Sequence, residues 1–199
     1  SETPFAVRDN MLDIWQHLTE LSFRGFGKKK RKLPKEPKNF STWSEVSRER
    51  WMAQQQEKLA QQEEFDRNFI ANETQVVDDL CRRIVQIIDR GNIVKPQYVC
   101  ECEELRLMQD EAIGLCSNLK RELNHIANVI PSNKNFLALV TEDIEKEIAL
   151  LRGWRKLGNT LRTKAIEREI EQRKTVAEKM GFVVTADAMN QQEFTGTEN

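Results

Sequence analysis

The sequence predicts an all-α protein, in which long antiparallel helices form a coiled-coil-like three-helix bundle with an N-terminal amphipathic helix and a basic linker. Two observations support this fold class. Of the 199 residues, 32% are charged and 39% are hydrophobic, with only eight Gly and five Pro, a composition typical of long helices. Apolar residues also recur at helical spacing, without a break, through residues 98–130.

The strongest periodicity is a helix seam within residues 98–130, with alternating spacings of four and three. This pattern keeps one edge of a helix against a partner helix along its whole length. Gln109 is its one polar residue, and we expect it either at the rim of the apolar stripe or buried, where it would fix the register of the helices. The seam consists of Tyr98, Cys102, Leu105, Gln109, Ala112, Cys116, Leu119, Leu123, Ile126 and Ile130.

The seam is flanked by further apolar residues, so its helix needs at least two neighbouring helices. Apolar periodicity at about 65–90 and 134–165 provides them, and the short connections make sequential helices antiparallel. We therefore predict a bundle over residues 65–181. Gly91 and Gly181 are expected to end its first and last helices, because glycine is the usual residue just past a helix C-terminus.

Two helical segments are predicted before the bundle. Residues 1–23 contain an amphipathic helix that is too short to be stable alone, so it must dock on the chain or on a partner. Residues 42–64 are predicted to form a polar helix extension opened by a capping box of Thr42 and Glu45, and its continuity with the bundle is left open. The tail, residues 182–199, is expected to be disordered or bound to a partner.

Partner-binding side chains are predicted on both segments. Large apolar residues without an obvious place in a core are typical of docking surfaces, although Trp43 and Trp51 would equally suit packing against the first helix. The predicted docking residues are Met11, Ile14, Trp15, Leu18, Trp43 and Trp51.

Positive charge is concentrated in the linker, residues 24–41. Residues 24–38 contain eight Lys or Arg and one acid, Glu36, so their net charge is +7, whereas the whole chain carries −1. The run Lys28, Lys29, Lys30, Arg31 and Lys32 resembles a monopartite nuclear import signal. The same cations would bind nucleic-acid phosphates non-specifically, and a solvated linker without a partner is the third interpretation.

Catalysis, cofactors and metal ions are not expected. The four cysteines lie among helical residues, and Cys100 and Cys102 would point about 200° apart on a helix, so they cannot share a metal ion. His125 falls off the seam, where an exposed residue is the ordinary interpretation. Cysteines without a disulfide spacing, no secretory signal at the start and no apolar run long enough for a membrane indicate a nuclear or cytoplasmic protein that is not secreted.

These patterns favour a non-enzymatic structural or interaction subunit of a larger macromolecular assembly. Its partners would be other helical proteins, because the sequence has more isolated apolar helix than a self-contained globule needs. An accessory nucleic-acid-binding protein using residues 24–38 and a homo-oligomeric coiled-coil scaffold are the two alternatives.

Overall fold

The computed structural model describes the backbone of residues 5–181 and their side chains, except those of Lys134 and Phe136. Four helices account for most of this range, and within it no strand is present, so the predicted all-α helical bundle is confirmed. The predicted disordered tail lies outside the described residues. The helices are α1 (Ala6–Phe23), α2 (Glu45–Ile93), α3 (Val99–Val129) and α4 (Lys134–Lys179).

Helices α2, α3 and α4 run antiparallel in sequence order. Arg83 of α2 pairs with Glu111 of α3 at 2.5 Å. Arg155 of α4 lies 3.0 Å from Asp110 of α3, and further along the same two helices Arg162 pairs with Glu103. Residue numbers rise on one helix as they fall on its neighbour, which is the register that short connections impose.

Helix α1 closes the bundle by packing between α2 and α4. Its apolar stripe is buried, and polar contacts flank the stripe on both sides. Trp15 Nε1 donates to Asp78 Oδ1 at 2.8 Å on α2, while Asn10 Nδ2 donates to Glu147 Oε2 at 2.7 Å on α4. Within the bundle, the chain's own first helix therefore covers apolar surface that α2 and α4 would otherwise leave open.

Helix α2 is continuous for 49 residues, about 73 Å at 1.5 Å per residue. The predicted capping box of Thr42 and Glu45 is wrong, because the helix begins later than expected. Ser44 is the N-cap, and its hydroxyl accepts from the Ser47 N–H at 3.3 Å. Thr42 instead lies in the preceding turn, where its hydroxyl donates to the Asn39 carbonyl at 2.8 Å.

Gly91 does not end α2, contrary to the prediction, since the helix continues to Ile93. The glycine is instead required by a close approach between helices. A Cβ atom at this position would lie 2.6 Å from Cη2 of Trp154, whose indole packs here against α2. The ring of Phe5 meets the same indole edge-on at 5.4 Å, so one tryptophan ties together the start of α1, the end of α2 and α4.

The seam of α3 lies in the core from Cys102 to Ile130, whereas Tyr98, its first predicted residue, is the exposed N-cap. Cys102, Leu105, Gln109, Cys116, Leu119, Leu123 and Ile126 are all buried. Gln109 is only 1% exposed, and its Nε2 donates to the Trp154 carbonyl at 3.3 Å. A Cβ on Gly158 would lie 3.2 Å from Gln109 Oε1, so the amide occupies a notch in α4. Burial rules out the rim position, and the role of Gln109 in fixing the helix register stays a prediction.

Two helices extend past the four-helix core at opposite ends. The first buried residue of α2 is Asp66, so residues 45–62 lie outside the core. At the other end the Val99 N–H donates to Glu169 Oε1 at 3.0 Å, which marks where α3 begins beside α4. Beyond this contact α4 continues to Lys179. Among residues 5–181, no helix combines the length and the apolarity that a membrane crossing requires.

Candidate interaction surfaces

The basic segment starts from a tight left-handed turn that anchors it to the bundle. Gly25, Phe26 and Gly27 have φ values of 58°, 53° and 72°. The left-handed region costs a residue with a Cβ about 1–2 kcal/mol, and the complete burial of the Phe26 ring offsets that cost. The turn is held to the α3–α4 connection, because the Gly27 carbonyl accepts from the Asn133 N–H at 3.0 Å.

Two of the five cations in the basic run are bound to α2. Arg31 donates through Nε and Nη2 to the two oxygens of Asp66 at 2.7 and 2.8 Å, and Asp66 is completely buried. Lys28 pairs with Glu63, and its Nζ lies 3.6 Å from Asp66. The hydrogen bond from Arg31 is the main cause that holds the pKa of Asp66 below its ordinary value.

The prediction of residues 24–41 as an extended linker, with Lys28 to Lys32 as its contact site, is therefore wrong for Lys28 and Arg31. In the sequence these cations form one block, because local charge density does not reveal acids 35 residues further along. The remaining cations, Lys29, Lys30 and Lys32, are exposed. They form no ion pair with any group in the described part of the chain.

The docking residues predicted on α1 are mostly unavailable to a partner. Met11, Ile14 and Leu18 are buried in the core, so their assignment as partner-binding residues is wrong. The physical reason is that α1 packs this apolar stripe against α2 and α4, so the stripe is already buried within the chain. Trp15 is half-buried at the edge of that contact, and its indole N–H is engaged by Asp78.

Trp43 and Trp51 form a small aromatic cluster around Phe40. The Phe40 ring centroid lies 5.5 Å from that of Trp43 and 5.1 Å from that of Trp51. The cluster folds the end of the basic segment back onto the first turns of α2. Helix α1 lies beside the other half of α2, so the tryptophans do not pack on α1 as one interpretation expected. Both remain half-buried.

The end of α4 presents apolar side chains to solvent. Ala165 is the last buried residue of this helix, yet the apolar period continues with Ile166, Ile170, Ala177 and Met180. Val176 is 56% exposed and Met180 is 69% exposed. The prediction that the bundle extends through this stretch to residue 181 does not foresee this exposure, because periodicity marks an apolar face without showing where the neighbouring helix stops.

Glu147 is a completely buried acid in the core between α1, α3 and α4. Its Oε2 accepts from Asn10, whereas its Oε1 has no hydrogen-bond partner among the described residues. Burial raises the pKa of Glu147 to about 7, with the Asn10 hydrogen bond acting in the opposite direction. The sequence does not indicate that Glu147 is buried, because this residue stands among several solvated acids on the same helix.

The buried cysteines are unreactive thiols in this setting. Desolvation raises the pKa of Cys116 to about 12 and raises that of Cys81 as well. A thiol becomes a nucleophile or metal ligand only as the thiolate, so neither residue is prepared for such chemistry at neutral pH. Both fill space in the core, as the periodicity predicts.

Comparison with protein-family models, with curated proteins and with solved structures found no match to this chain.

Proposed function

We propose that this protein is a non-enzymatic interaction subunit of a larger macromolecular assembly, and that it binds a helical partner through the projecting end of α4. The observation that carries the proposal is the apolar stripe after Ala165. Its side chains recur at helical spacing, and Ile170, Val176 and Met180 are exposed where no other helix among residues 5–181 buries them. An amphipathic helix face of this kind is typical of helix–helix recognition.

Charge and packing at the projecting end of α4, the part of the helix that follows Glu169, support the same function. Between the apolar residues lie exposed charged and polar side chains, among them Arg168, Glu171 and Gln172. They would form a polar rim around an apolar centre, which is the usual anatomy of an interface. A partner helix placed beside α4 would continue the packing that α3 provides up to the contact between Val99 and Glu169.

The proposed role of this end of α4 in partner binding is tested by the double variant Val176→Gln, Met180→Gln. We expect the wild-type chain to be isolated with a stoichiometric partner from its native source, and the variant to lose that partner. The melting temperature should stay within about 2 °C, because exposed substitutions change stability by no more than about 0.5 kcal/mol. Affinity purification with light scattering and thermal unfolding provide the two measurements.

The matched control is Lys164→Gln, Glu167→Gln, which alters two exposed residues of the same helix outside the stripe. It should retain the partner. Partner binding that survives in the Val176, Met180 variant would contradict the proposal. A wild-type chain that instead associates with itself, and becomes a monomer in that variant, would assign the stripe to a homo-oligomeric scaffold.

A second candidate function, accessory nucleic-acid binding, is favoured by the exposed lysines. Lys29, Lys30 and Lys32 follow an anchored turn, so the structure of the bundle holds the start of this segment in place. Exposed cations on one short segment contact phosphates without reading the sequence of bases. An import receptor binding the same run would have to compete with the contacts that Asp66 makes to Arg31.

This candidate predicts that Lys29→Gln, Lys30→Gln, Lys32→Gln abolishes binding to a mixed-sequence DNA duplex. For every phosphate that a lysine no longer neutralises, the slope of log affinity against log salt should become shallower by about 0.9. Fluorescence anisotropy at several salt concentrations measures the slope. Replacing Lys146, Lys156 and Lys164, which are exposed on α4, removes equal charge elsewhere. If both triple variants weaken DNA binding equally, net charge alone explains the binding and the basic segment is not the contact.

A further inference from the structure

The face between α2 and α3 carries a cluster of polar side chains that the proposed function does not use. Glu73 lies on α2, while Glu122 and His125 lie three residues apart on α3. One carboxylate oxygen from each glutamate and one ring nitrogen of His125 all lie within 4.8 Å of one another. Residues at i and i+3 share a face of a helix, so α3 presents both of its side chains towards the same acid of α2.

Glu73 is the unusual member of this cluster, because it is only 5% exposed. Its Oε1 accepts from Asn72 Nδ2 at 3.2 Å, but its Oε2 is buried and has no hydrogen-bond partner within the described part of the chain. An unpaired buried carboxylate costs several kcal/mol. A buried acid is ordinarily paired with a cation. Two turns earlier on α2, buried Asp66 is neutralised in this way by Arg31 and Lys28.

Among the described side chains, no such cation pairs with Glu73. Neither Glu73 nor Glu122 forms an ion pair with a lysine or arginine whose side chain the structure describes, and the charged groups that act on Glu73 are the Glu122 carboxylate and His125. Two carboxylates at this distance need either a shared proton or a cation between them. The third member of the cluster is an imidazole, which is a metal ligand when neutral.

We propose that Glu73, Glu122 and His125 bind a divalent zinc-class cation across the α2–α3 interface. Two carboxylate oxygens and one imidazole nitrogen are a ligand set that suits zinc, whereas calcium and magnesium prefer oxygen alone. The Glu-x-x-His spacing of Glu122 and His125 is also used by metal-binding four-helix bundles to place two ligands on one helix.

The geometry allows this cation with small side-chain movements. Tetrahedral zinc with bonds of about 2.1 Å places its ligand atoms about 3.4 Å apart, whereas the three ligand atoms here lie within 4.8 Å of one another. Glu122 is half-buried and His125 is exposed, so both can close on the buried Glu73. The Phe69 ring meets the His125 ring edge-on at a centroid distance of 5.6 Å and limits its rotation. The bound ion would link α2 to α3 and leave a fourth position open to water.

The site is tested by titrating the metal-free full chain with zinc chloride in a calorimeter. We expect saturation at one ion per chain, together with a rise in melting temperature. Glu122→Gln and His125→Ala should each weaken binding by at least about tenfold, the smallest loss that removal of even an outer-shell partner usually brings. Both side chains are at least partly exposed, so these variants avoid the risk that Glu73→Gln, in the core, alters folding.

Two matched controls separate this cluster from other ligands. His17→Ala removes the other histidine of the sequence, and Cys100→Ser removes the one exposed cysteine. Both variants should bind zinc as the wild type does, and cobalt should give visible absorption without a thiolate charge-transfer band. Absence of saturable binding would overturn the proposal and assign the cluster to a proton shared by the two carboxyls. Binding that survives in the Glu122 and His125 variants would also overturn it.

Discussion

Replacing Arg31 by methionine is expected to lower the free energy of unfolding by about 3–5 kcal/mol, the usual cost of removing one partner from a buried ion pair. Methionine keeps much of the side-chain length but donates no hydrogen bond to Asp66. Asp66 is completely buried in the wild type, and its one remaining ion-pair partner among the described residues would be Lys28, at 3.6 Å. Urea unfolding followed by circular dichroism, which reports helix content, measures the difference.

The neighbouring variant Lys32→Met is the control, since Lys32 is an exposed cation one residue away. Its effect should stay within about 0.5 kcal/mol. Adding Asp66→Asn to the Arg31→Met chain should restore part of the stability, because it removes the buried charge itself. If Arg31→Met costs no more than Lys32→Met, the contact between the basic segment and α2 does not stabilise the fold.

The same contact determines a response to acid. The pKa of Asp66 is depressed in the folded state, so its contribution to stability is present above the unfolded pKa of an aspartate and is lost as the pH falls through the folded value. Acid should therefore release the basic segment from α2. In the Arg31→Met chain this part of the acid dependence should be weaker, because the hydrogen bond that depresses the pKa is absent.

The second large effect is expected at Glu147, where the sign is opposite. Its folded pKa of about 7 lies above the ordinary glutamate value of 4.5. The folded chain therefore retains a proton that the unfolded chain has released, and stability falls as the pH rises from about 4.5 to about 7. Glu147→Gln removes this ionisation. It should raise the free energy of unfolding by about 1–3 kcal/mol at pH 8 and by little at pH 4.5.

The gain is smaller than the full linkage value because the new amide leaves its buried NH2 group without an acceptor, where Glu147 Oε1 now stands. Glu142→Gln provides the control, as Glu142 is an exposed acid on the same helix. Unfolding curves at several pH values compare the two variants with the wild type. Identical pH dependence in the wild type and in Glu147→Gln would show that folding does not shift the pKa of Glu147, and it would contradict the prediction.

Helical periodicity alone determined the greater part of the architecture. The seam from Cys102 to Ile126 is buried at every predicted position, because a spacing of three and four places those side chains on one face whatever the partner is. The approximate limits of the helices follow from similarly local chemistry. Local rules failed at Gly91, where a contact with Trp154 explains the glycine instead.

The tertiary structure alone decided which polar residues meet. Arg31 binds Asp66, Asn10 donates to Glu147, and Glu73 lies beside Glu122 and His125. These partners are too far apart in the sequence for a local pattern to predict the contacts. The tertiary structure also decided that α1 covers the bundle while the end of α4 keeps its apolar side chains exposed. The physical reason is that periodicity reports which face of a helix avoids water, whereas the identity of its neighbour depends on how far each helix extends beside the others.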